Sequence, residues 1–62
     1  PALLPLHEAR DDFERRYIQQ ALSRQRGHIS RTADVLGVER SNLYRKMRAL
    51  GIPIGRREDE PG

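Results

Sequence analysis

The chain has 62 residues, 35% hydrophobic and 34% charged, with no cysteine and a formal net charge of +3. A chain this short buries only about 60% of its unfolded surface and makes one domain at most; without disulfides or thiolate metal sites, association with a partner is its remaining source of added stability. No apolar run approaches the roughly 20 residues of a membrane span and no signal peptide is visible, so the expected setting is the cytoplasm.

Residues 1–5 start at Pro1 rather than methionine and read as the remnant of an interdomain linker, hence as part of something longer. From Leu6 to Gln25 there is neither Gly nor Pro, and apolar residues recur three and four apart, which predicts a first helix over 6–25. Pro5 suits the first turn, where a missing N–H costs nothing. Asp11 and Arg15, and Asp12 and Arg16, stand acid before base at i,i+4 and mark a solvated face. The apolar positions form two arcs. Leu6, Ala9, Phe13 and Tyr17 lie on one side, and Ile18, Ala21 and Leu22 lie roughly 100° further round. A helix with so wide an apolar arc is usually covered from two directions, here by the rest of the domain and by a second chain.

Gly27 is the expected stop, and Ser30 the expected N-cap of a short second helix over 31–36, with Asp34 near the positive end of its dipole. Gly37 breaks that helix and Val38 is placed as an apolar plug in the turn. A third helix is predicted over 40–50. Its Leu43, Met47 and Leu50 stand at i, i+4 and i+7 and form a buried edge, while Ile29, Ala33, Leu36 and Val38 complete the packing. Gly51 ends it, Ile52 sits for an apolar cap contact, and Pro53 forbids continuation. Residues 54–62 are polar and without apolar period, and read as a disordered tail. The expected fold is all-α, with one domain over residues 6–53.

The excess positive charge lies on the third helix, where Arg40, Arg45, Lys46 and Arg48 face Glu39 alone. Two short helices joined by a glycine-containing turn, the second of them basic, make the helix-turn-helix pattern. A helix fits the major groove of B-DNA, and the residues at its N-terminal end reach the base edges. Arginine matches the acceptors of guanine and asparagine the edge of adenine, which are the groups offered by Arg40 and Asn42. Ser41, Arg45 and Arg48 also point away from the apolar edge. By itself, a charge run is as often a solvated face; the turn and the caps tip the balance towards DNA. Tyr44 is open between packing on the second helix and a phosphate contact. Glu39 either accepts from a cytosine amino group or orients Arg40. His7 and His28 read as surface residues, not ligands. Asp11 and Asp12 are adjacent and point different ways, so they are not a catalytic dyad. No nucleophile–base set, metal site or substrate pocket can be assembled, so no enzyme, cofactor or small-molecule substrate is expected.

The run GHISRTADVLGVERSNLYRKMRALGI from Gly27 to Ile52 resembles the Fis-type helix-turn-helix that closes bacterial enhancer-binding proteins of the NtrC family, and FERRYIQQAL from Phe13 to Leu22 resembles its preceding helix. The stretch ERSNLYRK from Glu39 to Lys46 is especially similar to NtrX-type response regulators of two-component systems. The resemblance spans roughly residues 7–52. It implies base reading by Arg40, Ser41, Asn42 and Arg45, and backbone contact by Ser30, Arg31, Thr32, Tyr44 and Lys46, to which the outward Arg48 is added. It further implies a homodimer formed through the first helix, by Leu6, Ala9, Phe13 and Tyr17, bound to inverted repeats in double-stranded DNA. The implied parent is a cytoplasmic, nucleoid-associated activator that contacts polymerase carrying the nitrogen-type alternative sigma factor through domains not in this chain. His28 stands where the family often has Asn. Two other readings stay open: a nucleoid architectural protein that bends DNA, and a helical protein-interaction module.

Overall fold

The computed structural model describes residues 3–54, so the expected tail, apart from Ile54, lies outside the described residues, as do the first two linker positions. The described residues form three helices: α1 over Leu6–Arg24, α2 over Ile29–Leu36 and α3 over Arg40–Ala49. The fold is all-α, as the apolar periodicity requires. Pro5 caps α1, its carbonyl accepting from the N–H groups of Glu8 and Ala9, both at 3.0 Å.

The second helix starts two residues before the expected Arg31, and its N-cap is His28, not Ser30. The His28 carbonyl accepts both the backbone N–H of Thr32 at 2.9 Å and its hydroxyl at 2.7 Å. The cause is burial: Ile29, Thr32 and Ala33 all face the core at helical spacing, and this face needs Ile29 within the helix. Ser30 is thereby moved into the first turn.

Both later helices end in the same closure. After α2, Val38 N–H bonds to the Ala33 carbonyl at 3.0 Å and Gly37 N–H to Asp34 at 3.2 Å; after α3, Ile52 N–H bonds to Met47 at 2.9 Å and Gly51 N–H to Arg48 at 3.2 Å. These are the paired bonds of the Schellman motif, which satisfy carbonyls left free at a helix end. Gly37 sits at φ 71°, a left-handed conformation that side chains disfavour. α1 closes in the same manner with a different residue in the left-handed place. Gly27 N–H reaches the Leu22 carbonyl at 2.8 Å and Arg26 N–H reaches Ser23 at 3.1 Å, so the turn-forming residue is Arg26, at φ 56°, and not the expected Gly27.

Ile18, Ile29, Ala33, Leu43, Tyr44, Met47, Leu50 and Ile52 are the buried core, with Leu22, Leu36 and Ile54 packed against it. Ile54, expected to begin the tail, therefore belongs to the packed body. α1 contributes Ile18 and Leu22, the second of its two arcs. The first arc stays outside: Leu6 is 86% exposed, Phe13 58% and Tyr17 53%, and the two rings stack with centroids 5.5 Å apart. Val38 is 44% exposed instead of plugging the turn, because the closure uses its N–H and leaves its side chain at a groove between α1 and α3. Asp11 lies beside Arg10 rather than Arg15, and Arg15 turns instead towards Asp12 at 3.6 Å and the Leu50 carbonyl at 2.9 Å.

Candidate nucleic-acid interface

α3 presents two sides. Leu43, Tyr44, Met47 and Leu50 are buried, while Arg40, Ser41, Asn42, Arg45, Lys46, Arg48 and Ala49 are exposed. At about 100° per residue, Ser41, Asn42, Arg45 and Ala49 lie opposite the buried edge, with Arg48 and Lys46 on the two flanks. The Ser41, Asn42 and Arg45 side chains therefore leave one exposed face of α3, on which Ala49 is the small residue one turn beyond Arg45.

The first turn of α3 is reached from α2. Arg40 donates through Nη1 to the Ser30 hydroxyl at 3.4 Å, so its guanidinium lies over the first turn of α2. Glu39 is the N-cap residue, its carbonyl accepting from Leu43 N–H at 2.9 Å, and its exposed carboxylate makes no capping hydrogen bond. Asp34 borders the same depression as Glu39 and Arg40, and Glu14 lies on the other flank beside Lys46. Lys46 donates to Glu14 at 3.0 Å, an ion pair between α3 and α1 with both groups partly exposed.

The residues expected to meet the phosphate backbone do not share one environment. Arg31, Lys46 and Arg48 are exposed and Ser30 is half-buried. Thr32 is fully buried, with its hydroxyl given to His28, and Tyr44 is 6% exposed with its hydroxyl enclosed. Of the two alternatives for Tyr44, the structure has the packed one, and it turns Thr32 inward as well. Both follow from position, since each lies within a helical turn of a buried apolar neighbour on its own helix. Of the α1 residues that reach α3 and its C-cap, Glu14 was not singled out by sequence reading, and Arg15 was read only as the partner of Asp11 on a solvated face. Their partners are 32 and 35 positions away, and no local spacing signals such a contact.

A compact trihelical body with a convex basic recognition surface on its last helix defines a DNA-binding helix-turn-helix domain. Residues 9–50 match the model of the bacterial regulatory proteins of the Fis family, and the chain belongs to that family. It is 55% identical over 49 residues, 79% of its length, to the nitrogen assimilation regulatory protein NtrX of Azorhizobium caulinodans. It is 43% identical over 60 residues, 92% of its length, to a protein of Rickettsia conorii named as an NtrX-like response regulator. A transcriptional regulatory protein of Sinorhizobium fredii matches at 44% over 45 residues, 73% of the chain. The chain spans 11% and 13% of the length of the first two relatives and 7% of the third. No solved structure matches it. The family is one of DNA-binding regulators rather than of enzymes, and among the described residues no helix is long and apolar enough to cross a membrane.

Proposed function

We propose that residues 6–53 are the sequence-reading unit of a bacterial transcriptional activator of the NtrX type, acting on inverted-repeat sites as a homodimer. The observation that carries this reading is the placement of Ser41, Asn42 and Arg45 together on the outward face of α3, with the exposed Arg40 at its N-terminal end turned towards Ser30 of α2. Arg40 and Arg45 supply forked donors for guanine, Asn42 an amide for adenine, and Ser41 a hydroxyl for either. Ser30, Arg31, Lys46 and Arg48 surround them as phosphate contacts, which set register and carry the salt dependence. Thr32 and Tyr44 support that rim from within.

Dimer formation is supported by the first arc of α1. Leu6, Ala9, Phe13 and Tyr17 line an exposed apolar strip, and its Phe13 and Tyr17 border a groove of about 310 Å³ whose far wall carries Asn42 and Lys46, so the strip and not the groove is the surface offered to a second copy. A small chain gains stability by covering such a surface, and a two-fold pair would set its recognition helices in successive major grooves about 34–36 Å apart. The parent protein, in the cytoplasm and on the nucleoid, would reach polymerase with the nitrogen-type sigma factor through domains beyond this chain.

Binding-site selection from random duplex DNA tests the reading. The expected product is a two-half-site sequence of fixed spacing. Arg40→Ala should lower affinity for it by about 1–3 kcal/mol while leaving affinity for random DNA nearly unchanged, the signature of a bidentate base contact. Recovery of bent but unrelated sequences would favour an architectural role instead, and recovery of none would leave a protein-interaction module.

A further inference from the structure

α3 is held at its far end by a residue from α1. Arg15 donates its Nε–H to the Leu50 carbonyl at 2.9 Å across 35 positions of sequence, in a partly buried contact. The last four carbonyls of a helix have no partner within it. The Schellman closure satisfies those of Met47 and Arg48, and Leu50 N–H occupies that of Lys46. Leu50 is the C-cap residue within this closure, and its carbonyl is taken by a guanidinium, whose charge also suits the negative end of the α3 dipole. Asp12, one turn back on α1, stands 3.6 Å from the same guanidinium and 2.9 Å from that of Arg16. Four residues before Leu50, Lys46 meets Glu14, the neighbour of Arg15. α3 is therefore tied to α1 at two points one turn apart. Two such points fix a direction, whereas one fixes only a position.

We propose that Arg15 is a positioning residue for sequence recognition: it sets the pitch at which α3 enters the groove, without itself touching DNA. This rests on α3 being the base-reading helix. Specificity depends on bidentate side chains meeting base edges at a set angle, while phosphate contacts tolerate tilt because they attract from any direction. Loosening the far end of α3 should therefore lower discrimination and spare non-specific binding.

The test uses the whole 62-residue chain and the sequence that it selects from random duplexes. Arg15→Lys keeps the positive charge and the aliphatic stem but loses the planar Nε–H donor, and Arg15→Gln removes the charge as well. Affinity for the selected sequence and for random DNA is measured over a range of salt, and helix content and melting are followed by circular dichroism. The expected result is a fall of at least about fivefold in the ratio of selected to random affinity for both variants, the lower end of what one bidentate contact discriminates. The salt slope of Arg15→Lys should stay at the wild-type value. An unchanged ratio with a lowered melting temperature would make Arg15 a purely structural residue and overturn the proposal. A uniform loss on all DNA for Arg15→Gln, with Arg15→Lys as wild type, would make it a phosphate contact and overturn it equally. If the wild-type chain itself prefers no sequence, the base-reading role of α3 fails and this inference falls with it, an outcome visible before any variant is made.

Discussion

The turn after α1 holds two consecutive residues at positive φ, and this makes a paired substitution informative. Arg26 is at φ 56° and Gly27 at φ 79°. An L residue held in the left-handed region costs roughly 1–2 kcal/mol, against about 0.5–1 kcal/mol for the extra freedom that glycine brings to the unfolded chain. Arg26→Gly should therefore stabilise the domain by about 0.5–1 kcal/mol. For a domain of this size that is a rise of about 2–8 °C in melting temperature. Gly27→Ala should do the reverse, at a cost of about 1 kcal/mol. That cost would come from the local backbone alone, because a Cβ added at Gly27 meets nothing within 4 Å beyond its chain neighbours. Arg26→Ala is the control. It removes the same charge as Arg26→Gly but keeps the strained backbone, so it should change melting little. Thermal unfolding followed by circular dichroism at several protein concentrations reads all three and separates folding from association. A stabilising Arg26→Ala, or a Gly27→Ala as stable as the wild type, would show that backbone conformation is not what governs this turn.

Two further outcomes follow from the charged and apolar surfaces of α1. Glu14→Gln keeps an oxygen for Lys46 but removes a negative charge near the basic face; affinity for selected and random DNA should rise together by a few-fold, with their ratio unchanged, in titrations at fixed salt. Phe13→Glu sets a charge in the exposed strip beside Tyr17; if the chain pairs through this strip as proposed, sedimentation should show the variant monomeric where the wild type self-associates, with helix content intact because Phe13 lies outside the core. A dimer surviving that change would place the interface elsewhere.

Much of this protein follows from its local sequence. Three helices, the glycine-marked ends of α2 and α3 and the inward edge of Leu43, Met47 and Leu50 all come from a period of 3.6 and from capping chemistry, which act over a few residues. The outward placement of Ser41, Asn42 and Arg45 is the other half of that same periodicity, so the basic face could be read from the chain as well. The positions that differed are those where distant packing overrode a local preference. Ser30 is the better capping side chain, yet the burial of Ile29 drew α2 back to His28. Gly27 is the better left-handed residue, yet the turn falls on Arg26 because the register of α1, set by Ile18 and Leu22 in the core, ends the helix there. Tyr44 had two partners open to it by sequence, and the space between the helices took its ring. The grip of Glu14 and Arg15 on α3 belongs to tertiary structure altogether. It joins residues more than 30 positions apart, and only the tertiary arrangement brings the Arg15 donor to the Leu50 carbonyl.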